Sequence, residues 1–295
     1  MKAEDFGLID LHMHSTVSDG TDTPEEILAN VKAAGIGLFS LTDHDAVKGC
    51  RRIEELRADG DPVFIRGAEF SCQDEGGKYH ILGYGYDPDA EPINRIVQIG
   101  HDHRIDKVQK RAAHLREKFG IILSEEEIRE LESLDNPGKP HIAVLLVERG
   151  CASSVSGAIA EYLDGLQTPS DYIPPKEAIR AILESGGIPV LAHPPFGSGT
   201  QLILGEEMDL RVRRLTEYGL MGLEGFYSGY TEGIREEILG LALKYGLYVT
   251  AGSDYHGTNK TVRLGDTGLP ALSSAPEGLR RFLADAMERT RGNAM

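Results

Sequence analysis

The feature that most constrains this 295-residue chain is a pair of histidines, two residues apart, directly after a short apolar segment. The segment Ile9-Asp10-Leu11 is typical of a β-strand, and it continues into His12-Met13-His14. Side chains at positions i and i+2 of a strand project from the same face, so both imidazoles can reach one ion. Asp19 follows five residues after His14. The pattern predicts a metal site where the first strand ends.

Further histidine and carboxylate residues lie at the ends of later predicted strands, or within one of them. They are Asp43 and His44 after residues 38–42, Glu69 after the strand that opens at Val63, His80 within 79–84, His193 after 190–192, and Asp254 and His256 after 248–251. The carboxyl ends of parallel strands line the active-site crevice of α/β enzymes, so these side chains are expected to converge. Imidazole and carboxylate ligands suit zinc, manganese or iron. The sequence therefore predicts a multinuclear metal centre.

Each of these residues also has a purely structural explanation. A single strand-end histidine such as His193 is more often a hydrogen-bonding residue than a ligand, and Asp43 could serve only to orient His44. The joint pattern favours metal binding, because six of the ten histidines lie at strand ends or in a strand beside them. The other four lie in a predicted helical region: His101, His103, His114 and His141. Of these, His101 and His103 point to different helix faces and are predicted to be surface residues.

Strand and helix patterns alternate at both ends of the chain. Thr23-Pro24-Glu25-Glu26 predicts a helix start, and Gly35 a helix stop, while later helices are expected over about 46–59, 206–218 and 231–245. Between residues 88 and 172 only helical patterns occur, including a capping-box signal at Ser124. We therefore expect an α/β fold with a parallel sheet, most simply a barrel. The barrel would comprise residues 1–87 and 173–295, and 88–172 would be a helical insertion that contributes to the substrate pocket.

Composition limits the classes of partner. The net charge of −16 argues against a broad nucleic-acid face, so long nucleic acid is not expected, whereas bound divalent ions would still admit a small phosphorylated ligand. Cys50, Cys72 and Cys151 are too few and too scattered for a disulfide framework, which predicts a reducing, cytoplasmic location. No leader pattern or membrane-length apolar run is expected to bring the chain to a membrane. The oligomeric state is left open.

The same motifs resemble those of a known family. Asp10-Leu11-His12-Met13-His14-Ser15, Ser18-Asp19-Gly20 and Thr42-Asp43-His44-Asp45 resemble the PHP (polymerase and histidinol phosphatase) family. Glu69, His80, Ala192-His193-Pro194 and Gly252-Ser253-Asp254-Tyr255-His256 continue the match in the family's order. Lys139-Pro140-His141-Ile142-Ala143 and Tyr172-Ile173-Pro174 resemble a subgroup of nucleoside 3',5'-bisphosphate phosphatases and 5'-3' exoribonucleases. The resemblance covers nearly all of the chain up to about Leu269.

This resemblance implies a distorted (β/α)7 barrel of PHP type with a small inserted helical domain and two or three divalent ions (Mn, Zn or Fe). It assigns His12, His14, Glu69 and Asp254 to a first ion, Glu69, His80 and His193 to a second, and Asp19, His44 and His256 to a third. Two ions that share Glu69 can lower the pKa of a bridging water to near neutrality and give a hydroxide nucleophile. The catalytic residues are then Glu69, which bridges the ions, and either Asp19 or His256, which would assist the leaving oxygen.

Substrate residues are less strongly marked. The best candidates for holding a phosphate remote from the metals are Lys139 and His141, followed by Tyr227 and Ser228. The subgroup's usual Arg before Pro-His is a lysine here, which cannot form a bidentate fork to phosphate. Its usual Arg-Gly is replaced within the segment Asp164-Gly165-Leu166-Gln167.

Three functions are therefore open. The leading one is a phosphoesterase that removes a phosphomonoester from a small nucleotide-like bisphosphate. The alternatives are a cyclic phosphodiesterase and phosphatase that acts on a sugar cyclic phosphate, and a 5'-3' exonuclease on short RNA. A purely structural or regulatory role is the least favoured, because every family ligand position carries a competent ligand.

Overall fold

A computed structural model describes residues 6–166, 172–197 and 202–292. Within these ranges it contains eight strands: β1 (Leu8–Asp10), β2 (Ile36–Phe39), β3 (Val63–Phe64), β4 (Gly67–Asp74), β5 (Gly77–Tyr84), β6 (Ile188–Leu191), β7 (Gly222–Tyr227) and β8 (Tyr248–Gly252). Most strand residues are buried, because helices cover the sheets from outside. The predicted α/β fold is confirmed.

The helices follow the strands along most of the chain. They are α1 (Pro24–Ala33), α2 (Lys48–Leu56), α3 (Glu91–Phe119), α4 (Glu125–Glu132), α5 (Lys139–Glu148), α6 (Val155–Ala158, continued by a π-helical turn over Ile159–Leu163), α7 (Pro175–Glu184), α8 (Gly205–Glu217), α9 (Glu232–Tyr245) and α10 (Glu277–Gly292). Thr23 caps α1 and Ser124 caps α4, each in a reciprocal capping box. The predicted helix start at Thr23 and the predicted box at Ser124 are confirmed. The helices α7 and α10 have no counterpart in the sequence prediction.

The strands form two sheets. One sheet is parallel and has the order β1-β2-β3, and the other has the order β4-β5-β6-β7-β8. In the second sheet β5 is antiparallel to both β4 and β6, while the remaining pairs are parallel. The expectation of a parallel sheet is therefore wrong for β5, because the connection from Asp74 to Gly77 is long enough only for a hairpin. The single strand expected from Val63 to Glu69 is divided between the two sheets.

The residues that follow β1 and β2 join the two sheets. On one side, the Leu11 amide donates to the carbonyl oxygen of Ala251 at 2.9 Å, beyond the end of β1. On the other side, the Asp45 amide donates to the carbonyl oxygen of Glu69 at 2.8 Å, and the Glu69 amide donates to that of Asp43. These links bring the carboxyl ends of strands from both sheets to one place, which is where the histidine motifs lie.

The helical middle of the chain has a small core of its own. Buried side chains of α3, α5 and the π-helical turn form it, among them Val108, Leu115, Ile142 and Leu163. Gln167, where one difference from the subgroup falls, lies outside the described residues. His101 and His103 are half-buried rather than fully exposed, and the Nδ1 atom of His101 lies 2.9 Å from the carbonyl oxygen of Asp135. No helix in the described ranges has the length and apolar character needed to cross a membrane.

The C-terminal helix α10 completes the main core. Its Phe282 is fully buried, and the ring makes edge contacts with Tyr84 of β5 and Tyr248 of β8. The carboxyl-terminal segment is thus part of the folded body, although the family resemblance ends before it.

We predict that Phe282→Ala lowers the free energy of unfolding by about 3–5 kcal/mol, because it leaves a cavity between β5, β8 and α10. Urea unfolding followed by circular dichroism measures the change. Leu243→Ala is the control, since Leu243 is 86% exposed and its truncation is expected to cost less than about 0.5 kcal/mol. A loss of under about 1 kcal/mol for Phe282→Ala would show that α10 contributes little to the core.

Candidate metal centre

His12 and His14 extend from the end of β1 and are both fully buried. Their Nε2 atoms are 3.2 Å apart. The Oε2 atom of Glu69 lies 3.2 Å from the first and 3.1 Å from the second, and the Oδ1 atom of Asp254 lies 3.5 and 3.4 Å from them. Two imidazole nitrogens and two carboxylate oxygens therefore converge on one point, as the spacing in sequence predicts.

Glu69 lies at the centre of a larger cluster. Besides His12 and His14, its Oε2 atom lies 3.3 Å from Nδ1 of His44. Its Oε1 atom lies 2.9 Å from Nδ1 of His80 and 3.2 Å from Nε2 of His193. One carboxylate thus faces five histidines from four separate segments, with a different set at each oxygen.

Asp19 forms the third part of the cluster. Its Oδ1 atom lies 3.3 Å from Nε2 of His256 and 3.6 Å from Nδ1 of His14, and its Oδ2 atom lies 3.9 Å from Nε2 of His44. Three overlapping groups have ligand atoms close enough to hold an ion: His14, Asp19, His44 and His256; His12, His14 and Asp254; and His44, Glu69 and His80. The structure thus brings all nine sequence-predicted ligands together, with His193 joined to them through Glu69.

Hydrogen bonds at the far side of two of the imidazoles, His12 and His256, leave their converging nitrogens as acceptors in the neutral ring. Nδ1 of His12 lies 2.9 Å from the Glu224 carboxylate, which can only accept, so Nδ1 carries the proton of the neutral ring. Nδ1 of His256 likewise donates to the Asp254 carbonyl oxygen at 2.9 Å. In its neutral form, each of these two rings presents the lone pair of Nε2 to the carboxylate oxygens.

Imidazole nitrogens and carboxylate oxygens that face one another as hydrogen-bond acceptors require a cation between them. Several buried atoms here have no hydrogen-bond partner among the described residues, including Asp19 Oδ1, His44 Nδ1 and His80 Nδ1. Buried polar atoms are normally satisfied, so this group of exceptions needs an explanation. The donor set of imidazole and carboxylate suits zinc, manganese or iron, and the residues present fit such ions.

The protonation behaviour of the cluster supports the same conclusion. Burial lowers the pKa of His14, but hydrogen bonds to Asp254 and Glu69 outweigh burial and raise it to about 9. The pKa of His12 is likewise raised well above its usual value, chiefly by Glu224 and Glu69 against the effect of burial. The surrounding histidines in turn hold the pKa of the Glu69 carboxyl well below its usual range despite burial. Without metal, protons occupy the place that a cation would take.

Other histidines of the cluster are held neutral. Burial lowers the pKa of His44 well below its usual value, and the attraction of Glu69 and Asp19 does not offset it. Burial also lowers the pKa of His80. These two rings are competent ligands without losing a proton first.

Backbone strain is concentrated at the cluster. Outside glycine, the described residues with positive φ are Asp45, His193 and Asp254, at 47°, 25° and 59°. Such conformations cost of the order of 1–3 kcal/mol each and persist only where the surroundings impose them. Gly252, just before the last of these, allows β8 to approach β1, because a Cβ atom there would lie 2.2 Å from Cβ of His12.

Residues behind the ligands hold them in place, and the most important of these is missed by the sequence analysis. Glu224 of β7 is fully buried, orients His12 and accepts a hydrogen bond from the His193 amide at 2.7 Å. An acidic residue in the middle of an apolar strand is the signal that could have revealed it. Asp10 also supports the site, since it accepts hydrogen bonds from the amide and hydroxyl of Ser253, and burial raises its pKa to about 6.

Asp43 does not orient His44. It accepts hydrogen bonds from the hydroxyls of Ser15 and Ser18, each at 2.8 Å. The Ser18 oxygen lies 3.4 Å from Nδ1 of His14, so Asp43 acts on His14 through Ser18. A carboxylate beside a histidine in sequence need not support that histidine, because neighbouring strand residues point to opposite faces.

Two cavities meet over the cluster of nine candidate metal ligands, which we call the metal cluster. The first, about 290 Å³, is lined by metal-cluster residues together with Phe196, Tyr227 and Lys260. The second, about 250 Å³, is lined on one side by cationic residues of the helical region: Arg104, Lys107, Arg111 and Lys139. Because His44 and His80 line both cavities, they adjoin directly. We call the second one the cationic pocket.

The four residues predicted to bind substrate have different positions. Lys139 lines the cationic pocket and pairs with Asp164 at 2.5 Å. Tyr227 lines the first cavity and donates to Oδ2 of Asp254 at 3.0 Å. His141 accepts from the Gly138 amide at the start of α5, and Ser228 donates to the Ser253 carbonyl oxygen, so both support backbone.

One face of the long helix α3 lines the cationic pocket. Arg104 of α3 pairs with Asp45 at 2.7 Å and donates to the Ser71 hydroxyl at 3.1 Å. Lys107 and Arg111, one and two turns further along, are buried. Lysine and arginine at a spacing of three and four residues mark one helix face, and that periodicity could have revealed this surface.

Comparison with known proteins gives consistent results. Residues 10–172, more than half of the chain, match the family model described as PHP domain. The chain is 31% identical to a phosphoribosyl 1,2-cyclic phosphate 1,2-diphosphodiesterase from Eggerthella lenta, over 84% of this chain and 94% of that one. It is 27% identical to a 3',5'-nucleoside bisphosphate phosphatase from Chromobacterium violaceum, over 84% and 87% of the two chains.

A solved structure agrees with this comparison. The crystal structure of a metal-dependent phosphoesterase from Bifidobacterium adolescentis superposes with a TM-score of 0.78 at 28% identity, covering 94% of this chain and 96% of that one.

We predict that Mn²⁺ binding to the metal-free protein releases protons and strengthens between about pH 7 and pH 9. A ligating imidazole must be neutral, while the pKa of His14 is about 9 without metal, so bound protons compete with the ion below that pH. The affinity should rise about tenfold per pH unit for each proton released. Calorimetry in two buffers of different ionisation enthalpy measures both quantities.

The control for this measurement is the double variant His12→Ala, His14→Ala, which should bind Mn²⁺ far more weakly and lose the rise with pH. An affinity of the unaltered protein that is independent of pH over this range would contradict the competition between protons and metal.

Proposed function

The chain belongs to the PHP domain family, and on that basis we propose that this metal-dependent phosphoesterase hydrolyses a phosphomonoester of a small nucleotide-like bisphosphate. The observation that carries the proposal is the cationic pocket beside the metal cluster. One phosphate would lie over the metals and the second in the pocket. The two sites share His44 and His80, so a single small molecule can reach both.

We further propose two or three ions at the cluster. His12, His14, Glu69 and Asp254 would hold the first, Glu69, His80 and His193 the second, and Asp19, His44 and His256 the third, with Mn, Zn and Fe all suited to the ligands. Such ions supply an activated water and neutralise charge that develops on the phosphate. Glu69 would bridge two of them, because its oxygens face different histidines.

The protein itself would place a proton near the leaving oxygen. Nε2 of His256 and Oδ1 of Asp19 are 3.3 Å apart and face each other at the edge of the cluster. Because Nδ1 of His256 already donates to the Asp254 carbonyl oxygen, an added proton would lie between Nε2 and Asp19 when two ions are bound. We propose that water, rather than a Ser, Cys or Lys side chain, is the nucleophile. The pair of His256 and Asp19 would then assist the leaving oxygen. A third ion would take the place of that proton and would assist the leaving oxygen instead.

The local charge of the cationic pocket opposes the net charge of the chain, which is −16. Four cations of the helical region line one small cavity, and a phosphate there would gain charge-assisted hydrogen bonds. Arg104 is fixed by Asp45, and Lys139 is fixed by Asp164. Arg104 keeps donors for a ligand while so fixed, whereas Lys139 must share its ammonium between Asp164 and substrate.

The relatives are consistent with a substrate that has two phosphate groups. The names of the Eggerthella and Chromobacterium proteins specify a phosphoribosyl cyclic phosphate and a nucleoside bisphosphate, respectively. We favour the nucleotide because Phe196 and Tyr227, with ring centres 5.9 Å apart, offer the first cavity an aromatic wall on which a base can stack.

A sugar cyclic phosphate is the second candidate, supported by the 31% identity to the Eggerthella diphosphodiesterase. The phosphate of this substrate that is not hydrolysed would lie in the same cationic pocket. The two candidate substrates therefore differ in whether a base or only a sugar contacts the aromatic wall. A 5'-3' exonuclease on short RNA is less favoured, since the net charge of −16 argues against a broad phosphate-binding face.

The remaining parts of the proposal concern the fold, the domain division and the cellular location. We interpret the two linked sheets as the distorted (β/α)7 barrel, with residues 88–172 as an inserted helical domain that supplies the pocket. The bonds from Leu11 to Ala251 and between Asp45 and Glu69 support closure. A cytoplasmic location remains a prediction from the cysteine content.

We predict that the manganese-loaded protein releases phosphate from adenosine 3',5'-bisphosphate with a kcat/KM about tenfold or more above that for adenosine 3'-monophosphate, because only the first fills the cationic pocket. Lys139→Met should reduce this ratio several-fold, mainly through KM for the bisphosphate. A malachite-green assay of phosphate release measures all four values. Lys48→Met, at an exposed lysine paired with Asp135, is the matched control.

Equal kcat/KM values for the two nucleotides would contradict the role of the cationic pocket. No release above the rate of the His12→Ala, His14→Ala variant, combined with rapid hydrolysis of a ribose cyclic phosphate, would replace the leading candidate by the second.

A further inference from the structure

Lys260 is a cation of the metal cluster that neither the ligand pattern nor the cationic pocket accounts for. It follows the short 3₁₀ turn Gly257–Asn259, and its side chain lines the first cavity, opposite the helical region. Its Nζ atom lies 2.5 Å from Oδ2 of Asp254, and 39% of the side chain is exposed. The ammonium group is therefore both tied to a proposed metal ligand and open to the cavity.

The two oxygens of Asp254 have separate partners. Oδ1 faces Nε2 of His12 and of His14, at 3.5 and 3.4 Å, which is the position of a metal ligand. Oδ2 faces Lys260 and the hydroxyl of Tyr227. Lys260 therefore does not occupy the position of an ion, and it can keep its place when Asp254 coordinates one through Oδ1.

The backbone at Lys260 is fixed from the opposite side of the cluster. The Thr258 amide donates to the Thr21 hydroxyl at 2.9 Å, and the Asn259 side chain donates to the Asp19 carbonyl oxygen at 2.8 Å. Gly257 permits this close approach, because φ is +65° and a Cβ atom there would overlap the Thr21 hydroxyl. The lysine is thus anchored at both ends, by its backbone to the Asp19 loop and by its ammonium to Asp254.

The ammonium group has donors left for a ligand. It carries three N–H groups, and in the described part of the chain Asp254 is its one hydrogen-bond partner. Tyr227 also donates to Oδ2 of Asp254, so that oxygen does not depend on the lysine alone. A purely supporting lysine would not need to line the cavity into which the substrate phosphate must enter.

We propose that Lys260 binds substrate directly, by donating hydrogen bonds to the non-bridging oxygens of the phosphate group that is hydrolysed. This inference rests on phosphoester hydrolysis at the metal cluster, and it holds whether or not the substrate has a second phosphate. Lys260 approaches the phosphate from the side of Tyr227, whereas the cationic pocket lies beyond His44 and His80. The two cationic sites therefore serve different phosphate groups.

Binding of inorganic phosphate to the manganese-loaded protein tests the inference, because this probe has one phosphate and needs no second site. We expect Lys260→Met to weaken phosphate binding about tenfold or more, in line with loss of a charge-assisted hydrogen bond. Lys260→Arg should restore most of the affinity, since it retains the charge and the donors. Lys244→Met is the matched control, because Lys244 forms a similar ion pair with Asp209 at 2.7 Å, away from the site.

A second readout separates substrate binding from support of Asp254. Metal content and Mn²⁺ affinity are measured on the same variants, and KM and kcat are determined for p-nitrophenyl phosphate at saturating Mn²⁺. We expect Lys260→Met to retain its metal and to lose kcat/KM mainly through a higher KM. If phosphate binds too weakly for calorimetry, this KM gives the comparison.

Unchanged phosphate affinity and KM in Lys260→Met would overturn the inference. So would a defect that disappears at saturating Mn²⁺, because the lysine would then act only by supporting a metal ligand. Failure of the two-phosphate proposal would give a different experimental result. The preference for adenosine 3',5'-bisphosphate would be lost, whereas the effect of Lys260→Met on the binding of inorganic phosphate would remain.

Discussion

The structure depends on one electrostatic constraint, which is that buried acceptor atoms converge where a cation must lie. Hydrogen bonds behind the rings of His12 and His256 turn the lone pairs of Nε2 inward, toward the oxygens of Glu69, Asp254 and Asp19. Such an arrangement is unfavourable without positive charge, because each polar atom has given up water for another acceptor. Protons or metal ions must therefore be part of the folded state.

This constraint explains why the surrounding structure is strained and closely fitted. His193 and Asp254 adopt left-handed backbone conformations, and Gly252 lets β8 approach His12. The helical region is tied to the same place, since Arg104 pairs with Asp45 immediately after His44. The cationic pocket and the loop that bears His44, a candidate metal ligand, are thus connected through the ion pair of Arg104 with Asp45.

The convergence of the candidate ligands was predictable from the sequence because its signal is local. His12 and His14 are two residues apart on a strand, and the other ligands follow apolar segments that are recognisable as strand ends. The α/β class and both capping boxes were predictable for the same reason. Residues whose role comes from distant partners were not: Glu224 is 212 residues from His12, and Lys260 became visible only through its contact with Asp254. The division of one predicted strand into β3 and β4 also depends on partners in two sheets, which local pattern does not encode.

The central claim is that the histidine and carboxylate cluster holds the metal ions on which phosphoester hydrolysis depends. The most direct measurement is a crystal structure of the manganese-soaked protein with anomalous diffraction data at the manganese edge. We expect anomalous peaks within coordination distance of Glu69, one between Nε2 of His12 and His14 and a second beside His80 and His193. Peaks only elsewhere on the surface, with the cluster filled by water at full Mn²⁺ saturation, would contradict it.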